Sequence, residues 1–312
     1  MMLEAVRADG LLAESRPVVV LFSGGRDSTC LLDLAVRIAG TRSVSALHVN
    51  YGLRDSAAVD EDHCLEMCGR LGVALEVRRP CRPESGNLQA WAREVRYAAA
   101  SELARGGDVA AGHTATDQVE TILYRLASSP SRRALLGMKP REGRLVRPLL
   151  RFTREQTAAY CTHQGLSWRE DETNMSEAYA RGRVRARLVP SLQAIHPAAV
   201  ENVLALAEVL REEAAVLDAL VDGVLEGRPE IELVKLRALP PALQRLVAQR
   251  LADAAVGRPA PGTARRADEV VEMADNAMLD LPHGVRAVTE RGMLRFMRRP
   301  ESTSRRATPT RS

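Results

Sequence analysis

The stretch Val18–Val36, VVVLFSGGRDSTCLLDLAV, sets an apolar run directly against two glycines, three hydroxyls and an aspartate. Pro17 to Phe22 is rich in β-branched residues and lacks alternation, the pattern of a strand buried on both faces of a parallel sheet. After the glycines, Leu31, Leu32, Leu34, Ala35 and Ile38 recur at helical spacing, so Ser23 to Ser28 reads as a strand-to-helix turn. Gly24 and Gly25 let the backbone approach a ligand, and the first free N–H groups of the helix, at its positive dipole end, suit an anion.

Two familiar phosphate motifs fail at this turn. A Walker A loop ends in Lys beside Ser or Thr, and the chain has only two lysines, Lys139 and Lys235, both far from it. The three closely spaced glycines of a dinucleotide fingerprint are also missing. What remains, Ser-Gly-Gly-Arg-Asp-Ser, resembles the PP-loop of the N-type ATP pyrophosphatases, which cleave ATP between the α and β phosphates and activate a substrate as its adenylate.

Strand-like and helix-like stretches alternate through the first half. Strands are expected at Val44 to Val49, from Val73 and from Asp108, with helices near 26–39, 57–71 and 87–105. That rhythm predicts an α/β fold with a doubly wound parallel sheet. Residues 143–150 read as a fifth strand, and Thr153 as the N-cap of a following helix. Ligands in such folds sit beyond the carboxyl ends of the strands, where Ser23, His48 and His113 all fall. Beyond Pro190 long amphipathic helices take over, with apolar residues at Val203, Leu206, Val209, Leu210, Val216, Leu217 and Leu220 and a second helix from Pro241. Residues 284–296 look like a small hairpin. The expected organisation is a PP-loop ATP-binding catalytic domain over 1–200, a smaller, mainly helical domain over 201–298, and a disordered tail over 299–312.

The length of 312 residues suffices for both domains, and no apolar run approaches a membrane span or a signal peptide. Five cysteines without a C-x-x-C pair suggest free thiols in a reducing compartment, hence a cytoplasmic protein; Cys64 and Cys68 read as core-facing residues of one helix. Net charge is only +4, yet Arg125 to Arg187 holds thirteen Arg and one Lys against six acids, the footprint expected of a polyanion partner. Arginine bias on a solvated face is the competing explanation. Aromatics at 3% argue against an aromatic platform for single strands.

Further motifs follow in order: HVNYGLR (His48 to Arg54), NLQAWAREVRY (Asn87 to Tyr97), GHTATDQVET (Gly112 to Thr121), RPLL (Arg147 to Leu150), WREDETN and YARGRVR (within Trp168 to Arg185). In this combination and spacing the chain resembles the tRNA(Ile)-lysidine synthetase family. The resemblance implies ATP-dependent ligation of L-lysine to the wobble cytidine of CAU-anticodon tRNA(Ile) through an adenylated cytidine, releasing AMP and pyrophosphate. Partners are then ATP, L-lysine and tRNA(Ile), with no membrane and a homodimer left open. Matched residue by residue, it implies catalytic roles for Asp27, Arg93, His113, Asp117 and Glu120.

The residue types suit that chemistry. The Ser23-Gly24-Gly25 backbone, Arg26 and the Ser28 hydroxyl are suited to phosphate, His48 to the adenine pocket, and Asp27 to Mg²⁺ bridging the phosphates. Asp117 and Glu120 could bind the cationic lysine, one of them taking a proton from its amine; with His113 they share a face if the turn is already helical there. Arg93 could stabilise the adenylation transition state. His63 and His163 read as surface residues. Thr116 stands where most of the family has a second Asp, Ser128 to Ser131 replace an Arg-Gly-Thr-Gly run, and Gly182 replaces an Asn. The alternatives are a PP-loop tRNA thiolase, disfavoured by the lack of paired cysteines, and a non-catalytic tRNA- or nucleotide-binding protein, disfavoured by the acids beside a phosphate site.

Overall fold

A computed structural model describes residues 1–52, 57–129, 131–170, 180–260 and 262–299. The chain divides into two compact units, Met1–Ser128 with Arg133–Ala207, and Ser129–Arg132 with the chain from Glu208. The 299–312 tail lies almost wholly outside the described residues.

In the first unit β1 (Val18–Leu21), β2 (Val44–Val49), β3 (Ala74–Arg78), β4 (Asp108–Ala110), β5 (Arg141–Glu142) and β6 (Leu145–Val146) form one sheet in the order β3-β2-β1-β4-β6-β5. All pairings are parallel except β5 with β6. Val18, Val20 and Phe22 enter one core with Leu31, Leu32 and Leu34, while Val19 and Leu21 enter another with Leu47, Ala100 and Val109. The unalternating run at β1 is therefore buried on both faces, as its composition demands. Helices α1 (Met2–Ala8), α2 (Arg26–Ala39), α3 (Ala57–Leu71), α4 (Leu88–Ala104), α5 (Ala115–Ser128) and α6 (Arg154–His163) surround the sheet. Cys64 and Cys68 of α3 are buried in the first core.

The expected strand over 143–150 is present but shorter, as β6, which pairs parallel with β4 and forms a tight hairpin with β5. Gly143 turns the chain at φ +59°, and Pro148, lacking an N–H, stands beyond the short β6 ladder. Thr153 does cap α6: its hydroxyl accepts from the Gln156 N–H while the Gln156 side chain accepts from the Thr153 N–H. Because the chain leaves β3 to place β4 on the opposite side of β1, the strand order reverses between β1 and β4. The loops after these two strands meet at that switch point, where open parallel sheets bind ligands.

Further along, α7 (Ala180–Arg183), a π-helical turn over Val184–Leu188 and α8 (Val189–Ile195) follow, then α9 (Ala199–Leu225). Along α9, Val203 and Leu204 pack with Val119, Leu123, Val184 and Val189, but Leu206, Val209, Val216 and Leu220 are exposed. Periodicity names the helix without naming the face that is covered.

The second unit holds α10 (Leu233–Arg237), α11 (Pro241–Val256) and α12 (Ala267–Val271) with an antiparallel sheet. Its strands, β7 (Glu230–Glu232), β8 (Met278–Leu281), β9 (Val285–Glu290) and β10 (Met293–Arg298), lie in the order β7-β10-β9-β8. The expected hairpin is β9–β10, turning at Arg291 and Gly292, both at positive φ. Two short strands extend it to four, and Leu236, Val247, Leu251, Val285 and Leu294 fill its core. No helix among the described residues is long and apolar enough to cross a membrane.

Candidate active site at the carboxyl edge of the sheet

The turn after β1 is an internally bonded cradle. Gly24 adopts φ +78°, and Gly25 is the N-cap of α2. A Cβ on Gly24 would sit 3.0 Å from Cys64 Sγ and 3.3 Å from His63 Cδ2, so both its conformation and its space require glycine. His63 is thus packed against the loop rather than on open surface, and its buried Nε2 has no hydrogen-bond partner among the described residues; His163 is exposed, as expected. Ser28 Oγ donates to the Gly25 carbonyl at 2.8 Å and lies 3.1 Å from Ser23 Oγ, so the two hydroxyls face one another across the loop. Arg169 donates its N–H to the Gly24 carbonyl at 2.9 Å and pairs with Asp60 at 3.1 Å, bracing the loop from outside. The buried His48 has Nδ1 3.0 Å from the Phe22 carbonyl and 3.3 Å from Cys64 Sγ, which fixes the end of β1 to α3.

The second loop carries Gly112, His113 and Thr114 before α5 begins at Ala115. A Cβ on Gly112 would lie 3.2 Å from the Asp27 carbonyl and the Ser28 nitrogen, so the two loops touch backbone to backbone. His113 precedes the helix instead of belonging to it, and only Asp117 and Glu120 share a face of α5. Thr114 explains the offset. Its N–H and hydroxyl donate to Asp117 Oδ2 at 2.8 and 2.9 Å, and these bonds start the helix one residue later.

Around these loops three carboxylates and three guanidinium groups, of Arg26, Arg154 and Arg185, converge. Arg154 donates to Asp117 Oδ1 at 2.7 Å and lies 3.6 Å from Asp27 Oδ2 and 3.8 Å from Glu120 Oε1. Arg185 grips both oxygens of Glu120, at 2.5 and 2.8 Å, and reaches Asp117 at 3.6 Å. Thr157 Oγ1 donates to Asp27 Oδ1 at 2.5 Å, and Arg26 Nε approaches the same oxygen at 3.4 Å.

These surroundings set the protonation states. Burial pushes the Asp27 carboxyl above its usual range, against the Thr157 hydroxyl and Arg26, and the nearby Asp117 charge adds to the rise. Burial also pushes Asp117 upward, but Arg154, the Thr114 N–H and His113 outweigh it and hold that carboxyl low. His113 is driven down to about 4, first by burial and then by Arg147, Arg96 and Arg93, so it is neutral at pH 7. Its Nδ1 is buried without a hydrogen-bond partner among the described residues, as are Arg96 Nε and Tyr97 Oη. Arg93 stands on α4 with its guanidinium 4.8 Å from the centre of the Tyr97 ring, and its charge reaches His113.

Of the residues expected at the site, Ser23, Gly24, Gly25, Arg26, Asp27 and Ser28 form the loop, and Asp27, Asp117 and Glu120 are joined through Arg154. His113 and Arg93 neighbour each other electrostatically, and His48 anchors the loop from behind. Sequence reasoning missed Arg154, Thr157 and Arg185. Thr157 and Arg154 lie on the capped helix α6, whose first turn faces α2, while Arg185 was legible as one arginine of YARGRVR but not as a partner of Glu120.

The donor set was also tested for a metal. Among the described residues no three His, Cys, Asp or Glu side chains are placed to hold an ion by themselves. Asp27, a partly buried carboxylate beside a phosphate-type loop, fits an ion completed by phosphate oxygens, the arrangement Mg²⁺ prefers.

Residues 2–192 match the PP-loop domain family. The chain is 34% identical over 303 residues to the tRNA(Ile)-lysidine synthase of Salinispora tropica, covering 91% of both proteins. It is 35% identical over 245 residues to that of Pseudomonas fluorescens, covering 72% of this chain and 55% of that protein. For the Thermus thermophilus enzyme the identity is 37% over 237 residues, with 73% and 46% covered. The chain therefore spans about half the length of several curated relatives it matches. Among solved structures, the U34-tRNA thiolase NcsA from Methanococcus maripaludis shares the fold, with a TM-score of 0.56 at 15% identity over 68% of this chain and 78% of that one. By the family match and by relatives covered along most of their length, the chain belongs to the tRNA(Ile)-lysidine synthase (synthetase) family of PP-loop proteins.

Proposed function

We propose that the protein is a carbon–nitrogen ligase that uses ATP to join L-lysine to the wobble cytidine of a CAU-anticodon tRNA(Ile). The observation that carries this reading is the gathering of three carboxylates, Asp27, Asp117 and Glu120, beside the PP-loop, among Arg26, Arg154 and Arg185. Acids brought together next to a phosphate cradle suit a cationic substrate and a phosphate-bound cation.

The cytidine O2 attacks the α-phosphorus, the bond to the β-phosphate oxygen breaks, and pyrophosphate leaves. Ser23, Gly24, Gly25 and Ser28 receive the leaving phosphates with backbone N–H groups and hydroxyls, and Arg26 adds charge at the mouth of the loop. Asp27 would hold Mg²⁺, which when bound neutralises developing phosphate charge. Arg93 stabilises the adenylation transition state, and His48 borders the adenine. The lysine ammonium then enters beside Asp117 and Glu120. It gives up a proton to a carboxylate, its amine attacks C2 of the base, and the C–O bond to AMP breaks. Neutral His113, with Nδ1 unpartnered, hydrogen-bonds a reacting group without adding charge.

In this reading residues 1–200 catalyse in the cytoplasm, and the C-terminal unit, over 201–298, contacts the tRNA. Sulfur delivery is less well supported: the Cys161 thiol and then burial push the Cys30 thiol far up, and burial pushes Cys64 far up and Cys68 up to about 12, which keeps them un-ionised. The test is incorporation of radiolabelled lysine into CAU-anticodon tRNA(Ile) with ATP and Mg²⁺. Labelling that requires ATP and vanishes in Asp27→Ala supports the ligase. ATP-dependent pyrophosphate release without labelling overturns lysine as the nucleophile.

A further inference from the structure

The helix that carries Arg154 lies along the helix that carries Asp27. Thr157 Oγ1 donates to Asp27 Oδ1 at 2.5 Å, Tyr160 Oη to Asp33 Oδ2 at 2.5 Å, and Arg37 Nη2 to Gln164 Oε1 at 2.7 Å. The partners in these three pairs stay 127 to 130 residues apart in sequence, so α2 and α6 run parallel and meet first turn to first turn. Thr157, Tyr160 and Gln164 stand at i, i+3 and i+7, one face of a helix. The capping box of Thr153 and Gln156 fixes where α6 begins, and with it the level at which Thr157 meets Asp27.

The two acids of α2 differ in what surrounds them. Asp33 is almost fully buried and also accepts from Arg37 Nε at 2.7 Å, so it ties helix to helix. Asp27 opens on the PP-loop. Its Oδ1 takes Thr157 and, at 3.4 Å, Arg26. Its Oδ2 accepts no hydrogen bond among the described residues and has Arg154 Nε at 3.6 Å, beyond hydrogen-bond reach. Thr157 itself is fully buried, and its hydroxyl also lies 2.9 Å from the Arg154 carbonyl, three residues back in α6. That contact, on a β-branched side chain with few rotamers, selects the one that aims the hydroxyl at α2. A hydroxyl has one proton, and an ionised carboxylate is the stronger acceptor for it.

We propose that Thr157 is a positioning residue for Asp27: its hydroxyl holds Oδ1 and leaves Oδ2 available to a phosphate-bound divalent cation. The inference rests on the reading of Asp27 as the Mg²⁺ residue given above. Groups that orient a metal-binding side chain are worth about ten- to a hundredfold in metal affinity, so one buried hydroxyl is enough to matter.

The experiment titrates full-length wild type, Thr157→Val and Thr157→Ser with α,β-methylene-ATP, an analogue that is not cleaved between those phosphates, in Mg²⁺ and in EDTA. Thermal unfolding is the control for folding, and Thr157→Ala takes the place of Thr157→Val should the latter unfold early. Thr157→Val should bind about tenfold more weakly than wild type in Mg²⁺ and within about twofold of it in EDTA. Thr157→Ser, which keeps the hydroxyl, should stay within about threefold of wild type in both. In Asp27→Ala the change of Thr157 to Val should make no further difference. Affinity of Thr157→Val in Mg²⁺ within about twofold of wild type, an equal loss in EDTA, or a Thr157→Ser variant as weak as Thr157→Val overturns the role of the hydroxyl. Lysine labelling of tRNA by wild type, run alongside, separates this inference from the ligase reading. If wild type labels and the Mg²⁺-specific loss is missing, only the positioning role falls. If wild type binds the analogue no better in Mg²⁺ than in EDTA, the Mg²⁺ role of Asp27 falls and the positioning role with it. If the Mg²⁺-specific loss is present while wild type labels no tRNA, lysine ligation falls and Thr157 keeps its role.

Discussion

Two assemblies of acids and arginines occupy opposite ends of the same sheet. At the amino end of β4, Asp108 is almost completely buried and is met by Arg16 at 2.9 Å and by both terminal nitrogens of Arg141, at 2.9 and 3.1 Å. At the carboxyl end Asp27, Asp117 and Glu120 share Arg154 and Arg185. The chemistry of the pairs is alike, but the first has two cations for one acid, and both Asp108 oxygens accept hydrogen bonds. The second gathers three acids among Arg26, Arg154 and Arg185 and leaves Asp27 with a raised affinity for protons. An excess of cations marks the structural acid, and acids crowded beside a phosphate-type loop suit a site for something cationic.

The sharpest break of that comparison is Asp27→Asn. It should lower pyrophosphate release by a factor of about 10³, the scale of losing a group that stabilises transition-state charge. Because the raised carboxyl binds its proton more tightly in the folded chain, folding with Asp27 loses stability as pH rises above 3.8, the ordinary Asp value. The Asn variant should therefore unfold at the wild-type temperature or higher near pH 7; a clearly lower midpoint would mean that the carboxylate is structural, like Asp108.

Next in size is Arg154→Ala, which leaves Asp27 and Asp117 partly buried without their shared cation and should cost about 3 kcal/mol of stability in chemical denaturation. Added Mg²⁺ with ATP should return part of that loss, since ligand binding to the folded state stabilises it. No effect of ATP and Mg²⁺ would show that the cluster does not take up a cation.

His113 supplies a pH signature. Its folded value of about 4 lies below the ordinary 6.5, so the unfolded chain takes up the proton first and stability falls as pH drops from 6.5 through 4. The expected cost is about 2 kcal/mol at pH 5. His113→Asn should flatten the pH dependence over that window, and an unchanged slope would place its source elsewhere.

The smallest effect is expected at the saturated end. Asp108→Asn keeps an acceptor beside two partly exposed arginines and should cost about 1.5 kcal/mol, with pyrophosphate release unchanged. A loss of activity there would erase the distinction between the two ends.

Both ends differ in how far the sequence revealed them. The strand, glycines and helix of Val18 to Ala39 are contiguous, so local periodicity was enough to locate β1, the loop and α2 and to place Asp27 in the first helical turn. Asp117 and Glu120 were legible because they lie three apart after a strand. Arg154 and Arg185 were not, because they approach these acids from 37 and 65 residues away. The strand within 143–150 was legible, but its short extent and its hairpin partner β5 were not, since a two-residue ladder carries too short a pattern. In the second unit β7 and β8 escaped notice for the same reason.

By itself the sequence determined that an α/β sheet carries a phosphate-type loop, with its acids at the strand ends, because alternation, helical spacing and turn residues are properties of neighbouring positions. Only the tertiary structure decided which arginines meet those acids, in which direction Asp27 and His113 depart from their ordinary protonation, and that Asp108 is met by two arginines while Asp27 shares Arg154 with Asp117 and Glu120. Those outcomes depend on burial and on charges brought together across long stretches of chain, and no local pattern encodes either.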